Sequence, residues 1–126
     1  MFTDSKKDFV VTDNLSRRHC KPCEGGVEPL TTEQSELLLQ ALHSDWSISG
    51  DGQHITRTVT FPDYGRTLGF SNAVAWIATC EDHHPVLTIA YSSCRISYTT
   101  HAIGGLSDND FICAAKIDRL VQVPET

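Results

Sequence analysis

The chain of 126 residues has the length of one ordinary domain, and its 40% hydrophobic and 21% charged residues indicate a globular protein. Its formal net charge of −6 repels phosphate backbones, which argues against nucleic acid as the main ligand. No apolar run approaches the roughly 20 residues that cross a bilayer, so we expect no membrane segment.

The first part of the chain has no clear hydrophobic period and no apolar signal core. We predict a poorly ordered arm over residues 1–23 and a folded domain over residues 24–123. Cys20 and Cys23 have the spacing of metal ligands, but no second pair follows at zinc-finger distance, so we interpret them as free thiols in a loop. Because five cysteines are an odd number without a dense framework, we expect reduced thiols and a cytoplasmic protein.

The first predicted helix begins with a capping box, in which Thr31 is followed three residues later by Gln34. Its apolar residues then repeat on one face: Leu37, Leu38, Ala41 and Leu42. Two predicted strands over 46–49 and 54–61 are joined at Gly50–Gly52, which is a hairpin turn signal.

The longest predicted helix follows Asp63, which has the residue type of an N-cap. Its apolar residues form the strongest helical stripe in the chain: Phe70, Ala73, Val74, Ile77 and Ala78. Gly69 within this helix suggests the close approach of another backbone. We expect the helix to end near Asp82, since Pro85 disfavours the α region for the residue before it.

Two further strands, over 86–91 and 94–101, form a second predicted hairpin with its turn at Ser92 and Ser93. Ser107 and Asp110 form another capping pattern, which opens the final helix. The order αββαββα predicts an α+β fold, in which helices pack on one face of an antiparallel four-stranded sheet.

Three histidines and one aspartate are the candidate functional residues. His83 and His84 lie at a bend before Pro85, which allows both imidazoles to converge on one cavity. His101 shares strand parity with polar residues, so we expect it on a polar surface, and Asp110 follows at the start of the last helix.

Three imidazoles and a carboxylate allow a metal site or an acid–base site. Two or three histidines with an aspartate could hold zinc or iron, but adjacent histidines lack the HxxxH or HxH spacing of common ligand pairs. Acid–base catalysis fits better, because imidazole has the side-chain pKa nearest neutrality. The residues alone leave open a third interpretation, in which the histidines are exposed loop residues and Asp110 only caps its helix.

A longer pattern resembles the signature of the pterin-4a-carbinolamine dehydratase family. The matching residues are His83-His84-Pro85, then an aromatic residue, a histidine and an aspartate, supplied here by Tyr91, His101 and Asp110. Three more blocks resemble the family: PCEGGVEPLT at 22–31, FPDYGRTLGF at 61–70 and GLSDND at 105–110. The resemblance covers residues 20–121 in register, which is far more specific than a pair of histidines.

The resemblance implies the dehydration of 4a-hydroxytetrahydrobiopterin to quinonoid dihydropterin, which recycles the pterin of aromatic amino acid hydroxylases. It implies His83 and His101 as the acid–base pair and His84 as a residue that positions the pterin and transfers protons. Asp110 would orient a histidine. Thr79 stands where the family usually carries an acidic residue, and Asp82 is a nearby carboxylate that could take that orienting role. The pterin is the substrate, so no cofactor and no metal are expected.

A binding or assembly protein on the same fold is the alternative, since relatives of the family include a transcription cofactor and assembly factors. The presence of all three histidines favours the enzyme. The last helix is apolar over more than one stripe, which suggests a partner chain, and family members form dimers and tetramers. We therefore expect a homodimer or homotetramer.

Overall fold

The computed structural model describes residues 14–22 and 25–122. Three α-helices and four strands follow one another in the predicted order: α1 Thr32–Leu39, β1 Ser47–Ile48, β2 Ile55–Thr60, α2 Tyr64–Glu81, β3 Val86–Ile89, β4 Ser93–Tyr98 and α3 Asp108–Leu120. Two short 3₁₀ helices, Leu15–Arg17 and His101–Ile103, lie outside these elements. The predicted α+β class is confirmed.

The four strands form one antiparallel sheet with the order β1-β2-β4-β3. The two hairpins of the sequence are therefore joined through β2 and β4, the second strand of each. In this register Ile55 faces Tyr98, and Val59 faces Cys94. All four of these side chains are buried, so the centre of the sheet supplies much of the core.

One face of the sheet is covered by helices and the other is polar, as β2 shows by its alternating burial. Thr58 and Thr60 are exposed on the open face, whereas Ile55 and Val59 are buried on the helix side. Arg57 shares the buried side, where its guanidinium is ion-paired with Asp118 at 2.5 Å. A buried arginine at this position requires such a partner, because an isolated charge is costly in an apolar interior.

The predicted caps of the first two helices are present. Thr31 Oγ1 accepts a hydrogen bond from the Gln34 N–H at 3.1 Å, and the Gln34 side chain accepts one from the Thr31 N–H at 2.9 Å. Asp63 Oδ1 accepts from the Arg66 N–H at 2.8 Å. Helix α1 ends at Leu39, before the last two residues of its predicted apolar face.

The environment of Gly69 differs from the prediction. A Cβ built at this position in α2 would meet nothing within 4 Å, so no other backbone among residues 14–22 and 25–122 approaches it. The glycine lies on the exposed side of the helix. The described residues therefore contain no contact that would require a glycine at this position.

Helix α3 is covered on nearly all sides by the chain itself. Its buried apolar residues include all those that suggested a partner chain: Phe111, Ile112, Cys113, Ala114, Ala115 and Ile117. The N-terminal 3₁₀ helix packs on α3 and buries Leu15 to 1% exposure. The apolar surplus of α3 is thus used within one chain and gives no support for an oligomer.

Residues 14–22 belong to the predicted arm, and contacts join this segment to the domain. The Cys20 N–H donates to Glu81 Oε1 at 2.8 Å, and the Lys21 N–H donates to Asn109 Oδ1 at 3.0 Å. Residues 1–13 of the predicted arm, and Cys23, lie outside the described residues. No helix within residues 14–22 and 25–122 is both long and apolar enough to cross a membrane.

Candidate active site

Helix α2 ends in a cap that turns the two adjacent histidines out of the helix. Asp82 adopts the left-handed conformation with φ 51° and ψ 44°, and its N–H donates to Thr79 O at 3.3 Å. The His83 N–H then donates back to Ala78 O at 3.1 Å, a bond that closes this type of helix end. His83 and His84 consequently follow the helix in a fixed loop that leads into β3.

The His83 ring is held by a carboxylate from the last helix. His83 Nε2 donates to Asp110 Oδ1 at 2.6 Å, and the Asp110 side chain is fully buried. A charge-assisted hydrogen bond of this length fixes both the tautomer and the orientation of an imidazole. Since Nε2 is engaged, Nδ1 is the ring nitrogen left for a ligand.

Asp110 is also part of the cap of its own helix. Its Oδ2 accepts hydrogen bonds from the Ser107 N–H at 3.0 Å and from Thr100 Oγ1 at 2.8 Å. The Ser107 and Thr100 hydroxyls lie 2.7 Å apart, which completes a small buried polar cluster. These contacts satisfy a carboxylate that would otherwise be costly to bury.

Tyr98 supports His83 from the core side. The two rings stack with their centroids 5.2 Å apart and an interplanar angle of 15°. The Tyr98 hydroxyl donates to the His83 backbone carbonyl at 3.2 Å. The alternation of residues along β4 indicated that the Tyr98 side chain is buried. Its contact with His83 could be anticipated only from the general rule that a buried phenol needs a hydrogen-bond partner.

The electrostatic environment of His83 favours its protonated form. Burial alone lowers the pKa of this imidazole, but the hydrogen bond and the negative charge of Asp110 outweigh burial, and the net pKa is raised above the ordinary value of 6.5. His83 therefore keeps its proton to higher pH than a free histidine.

The three predicted histidines line one hollow of about 250 Å³. It is bounded by residues of the α2–β3 loop and of the segment after β4: Asp82, His83, His84, Thr99, Thr100, His101 and Ala102. His83 is half-buried, whereas His84 and His101 are exposed. A solvent-reachable hollow with one fixed and two exposed imidazoles can donate and accept protons on a bound ligand.

His101 reaches this hollow by a different route from the predicted one. Strand β4 ends at Tyr98, and His101 opens the short 3₁₀ helix that follows. Strand parity therefore does not apply to it, because the chain has already left the sheet. The predicted exposed position of the side chain is nevertheless found.

Thr79 and Tyr91, both taken from the family pattern, do not line the hollow. Thr79 is exposed on α2, where its hydroxyl donates to Ala75 O at 2.9 Å within its own helix. The geometry of the chain thus gives no support to an orienting role for Thr79, whereas Asp82 does border the hollow. Tyr91 stacks on Tyr64 with centroids 6.2 Å apart, away from the histidines.

A larger cavity of about 440 Å³ lies elsewhere, near the ends of α1 and α3. Its charged lining includes Arg57 and Asp118, which neutralise each other and support Trp46 through the indole N–H. This cavity offers less acid–base chemistry than the histidine hollow. Among the described residues, no group of three or more His, Cys, Asp or Glu side chains is placed to hold a metal ion.

Fold and site together define a small α+β domain with a histidine-lined hollow next to a buried aspartate. The family model of the Pterin 4 alpha carbinolamine dehydratases matches residues 28–120. The chain belongs to this family, and the resemblance found in the sequence is confirmed. The prediction of an enzyme of this hydro-lyase class is confirmed with it.

Similar proteins from bacteria carry the name of an enzyme of this class. A relative from Nitrosomonas eutropha is 54% identical over 108 residues, which cover 86% of this chain and 94% of the relative. A relative from Legionella pneumophila is 46% identical over 111 residues, covering 88% and 98%. The names of both proteins assign them to the pterin-4-alpha-carbinolamine dehydratases.

Two solved structures share the fold. A transcriptional coactivator/pterin dehydratase from Brucella melitensis superposes with a TM-score of 0.70 and 29% identity, covering 74% of this chain and 98% of that one. A pterin dehydratase-like protein, described as a RuBisCO assembly factor in the alpha-carboxysome, has a TM-score of 0.56 and 19% identity, covering 65% and 95%. The second likeness concerns the fold alone.

Proposed function

We propose that this protein catalyses the dehydration of a 4a-hydroxytetrahydropterin, such as 4a-hydroxytetrahydrobiopterin, by histidine acid–base catalysis. The observation that carries the proposal is His83, held by buried Asp110 in a hollow that His84 and His101 also line. This arrangement offers several proton donors and acceptors within one site. The family and the names of its members support the same reaction.

The reaction requires two proton movements. The bond between C4a and the hydroxyl oxygen breaks as that oxygen receives a proton and leaves as water, and the proton on N5 is lost to give the quinonoid dihydropterin. No electrons pass to another molecule, so we propose that the pterin is substrate and that no cofactor takes part.

The raised pKa of His83 supports this residue as the acid that protonates the leaving hydroxyl. His101 then accepts the N5 proton, and His84 holds the pterin at the rim of the hollow. Asp110 acts through His83 by fixing its ring, and so it is a positioning residue. Asp82 borders the site and is available for a polar contact with the flat pterin edge.

The product of this reaction is the oxidised pterin that reductases return to the hydroxylase cofactor pool. We therefore propose that the protein acts beside an aromatic amino acid hydroxylase in the cytoplasm. A homodimer or homotetramer remains part of the proposal, and light scattering after size-exclusion chromatography tests it.

The variant His101→Ala tests the catalytic proposal directly. We expect the enzymatic rate of carbinolamine decay, followed by absorbance, to fall at least roughly a hundredfold, because one proton-transfer group is lost. The melting temperature should stay unchanged, since the side chain is exposed.

His54→Ala is the matched control, because His54 lies in the first hairpin and does not line the hollow. This variant should keep the full rate. Full activity of His101→Ala would contradict the assignment of the acid–base pair. A wild-type protein without any dehydration activity would favour the binding or assembly alternative.

A further inference from the structure

Two cysteines far apart in sequence meet between the N-terminal segment and α3. Cys20 Sγ lies 3.6 Å from Cys113 Sγ, with 93 positions between them along the chain. Cys113 is fully buried in α3, whereas Cys20 is half-buried in the segment that covers this helix. Both are free thiols in the structure.

The N-terminal segment holds Cys20 in this place through contacts on both sides of the thiol. The backbone N–H of Cys20 donates to Glu81, and the neighbouring Lys21 exchanges two hydrogen bonds with Asn109, at 3.0 and 2.7 Å. Glu81 is itself buried and lies 3.6 Å from the Lys116 ammonium. The two sulfurs are therefore kept adjacent by structure that does not depend on their own contact.

The environment makes the two thiols unequal. The hydrogen bond from the Cys20 thiol lowers the pKa of Cys113 against the opposing effect of burial. The same thiol–thiol hydrogen bond, followed by burial, raises the pKa of Cys20. Cys113 is thus the more acidic thiol of the pair, and Cys20 is the sulfur nearer to solvent.

We propose that Cys20 and Cys113 form a reversible disulfide that ties the N-terminal segment to α3 when the protein meets a hydroperoxide. A disulfide requires a sulfur–sulfur distance of about 2.05 Å, so the sulfurs must approach by about 1.5 Å. Small side-chain rotations supply a movement of this size, because the half-buried Cys20 has room to turn. Cys20 is therefore one half of a redox pair rather than an isolated loop thiol.

The chemistry proceeds in two balanced steps. In the form with Cys113 deprotonated, the Cys20 thiol proton passes to Cys113 across their contact as Cys20 Sγ attacks one oxygen of hydrogen peroxide. The O–O bond breaks, the second oxygen leaves as hydroxide, and Cys20 becomes a sulfenic acid. The Cys113 thiol then attacks this sulfur, the S–O bond breaks, and the Cys113 proton leaves with the hydroxyl group as water. The two thiols are oxidised by two electrons, peroxide is reduced to hydroxide and water, and a dithiol reductant reverses the reaction.

The test treats the full chain with hydrogen peroxide, blocks the remaining thiols by alkylation and maps the peptides by mass spectrometry. We expect a peptide pair that joins Cys20 to Cys113, the loss of two titratable thiols, and the return of both after dithiothreitol. Cys80→Ser is the matched control, because Cys80 is exposed on α2 and should not take part in the bridge. A bridge from Cys20 to Cys23 instead, or no bridge at all, would overturn the proposal.

A second measurement follows the mechanical effect of the bridge. The oxidised wild-type protein should unfold at a higher urea concentration than the reduced protein, because the cross-link restricts the unfolded chain. Cys20→Ser should show no such difference after the same treatment, while circular dichroism reports an unchanged fold. Equal midpoints of urea unfolding for the oxidised and the reduced wild type would contradict a disulfide between the N-terminal segment and α3. Neither measurement depends on the substrate of the active site.

Discussion

Asp110 joins two parts of the molecule with a single carboxylate. One oxygen binds the His83 ring, and the other accepts from the Ser107 N–H and the Thr100 hydroxyl. The sequence left two roles for this residue open, a helix cap or a partner of a histidine. The structure shows both contacts at once, so the two roles are not alternatives.

The pH dependence of stability tests the contact between His83 and Asp110. Because the pKa of His83 is raised in the folded protein, the pair contributes its full stability below the unfolded pKa near 6.5 and loses it as the pH rises through the folded value. Urea unfolding should therefore show the free energy of unfolding falling across this window. Asp110→Asn should flatten that fall, lower the pKa of His83 in an NMR titration, and reduce dehydration at least about tenfold.

The matched control for this experiment is Asp108→Asn in the same helical turn. Asp108 is exposed and contacts Arg18 at 3.3 Å, far from the imidazole. It should leave the titration of His83 unchanged. An equal pKa of His83 in the wild type and in Asp110→Asn would contradict the electrostatic role of the carboxylate.

The candidate site was predictable from the sequence only where residue type carries the chemistry. Histidine and aspartate side chains are suited to proton transfer, so they were candidates from residue type alone. The three histidines do line the hollow, and Asp110 contacts one of them. Tyr98 and Thr100 were not predicted as site residues. Their contacts with His83 and Asp110 join residues that are well separated in sequence, and the alternation of residues along one strand does not predict such contacts. Thr79 was included on family position alone, and the helix turns it away from the hollow.

Element boundaries followed capping residues more closely than apolar periodicity. Asp63 begins α2 and Asp82 ends it, as predicted, because a side-chain acceptor and a following proline act locally. Ala41 and Leu42 were predicted in α1, yet the helix ends at Leu39. Of the four residues of the predicted apolar face, Leu38 and Leu42 are buried, the second in a turn after the helix, whereas Leu37 and Ala41 are exposed. Apolar spacing therefore predicted the core-facing side chains of this helix only in part.

Gly69 provides a prediction at the level of the helix. Since a Cβ would meet none of the described residues within 4 Å, Gly69→Ala should raise the free energy of unfolding by about 0.5–1 kcal/mol, the usual gain in a helix interior. Urea denaturation measures this change. Gly65→Ala in the first turn of α2 is a control, expected to gain less. A loss of stability, with a smaller particle in light scattering, would instead show that a second chain packs against Gly69.

At the scale of the whole molecule, the N-terminal segment completes the core around α3. Within residues 14–22 the large apolar side chain that it buries is Leu15, and a single residue gives no apolar period in the sequence. The α+β order was predictable because each helix and hairpin carries its own local signal. The docking of residues 14–22 was not, since it depends on scattered contacts from Leu15, Cys20 and Lys21 to distant residues.

Leu15→Ala tests this view of the core. The side chain is 1% exposed, so its truncation should lower the free energy of unfolding by about 2–5 kcal/mol through lost burial and a residual cavity. Leu37→Ala is the matched control, because Leu37 is 45% exposed and should change stability little. Chemical denaturation of both variants measures the difference. A Leu15 variant as stable as the control would mean that the segment adds nothing to the fold.

The two-sided use of Asp110 also affects how relatives on this fold are to be interpreted. A descendant that abandons catalysis and keeps only a scaffold role gains nothing by replacing this acid, since the start of its last helix still needs the acceptor. In such relatives we expect the aspartate to be retained more often than the histidine that it contacts. Retention of the carboxylate is consequently a sign of architecture, and the histidine opposite it is the better indicator of whether the chemistry survives.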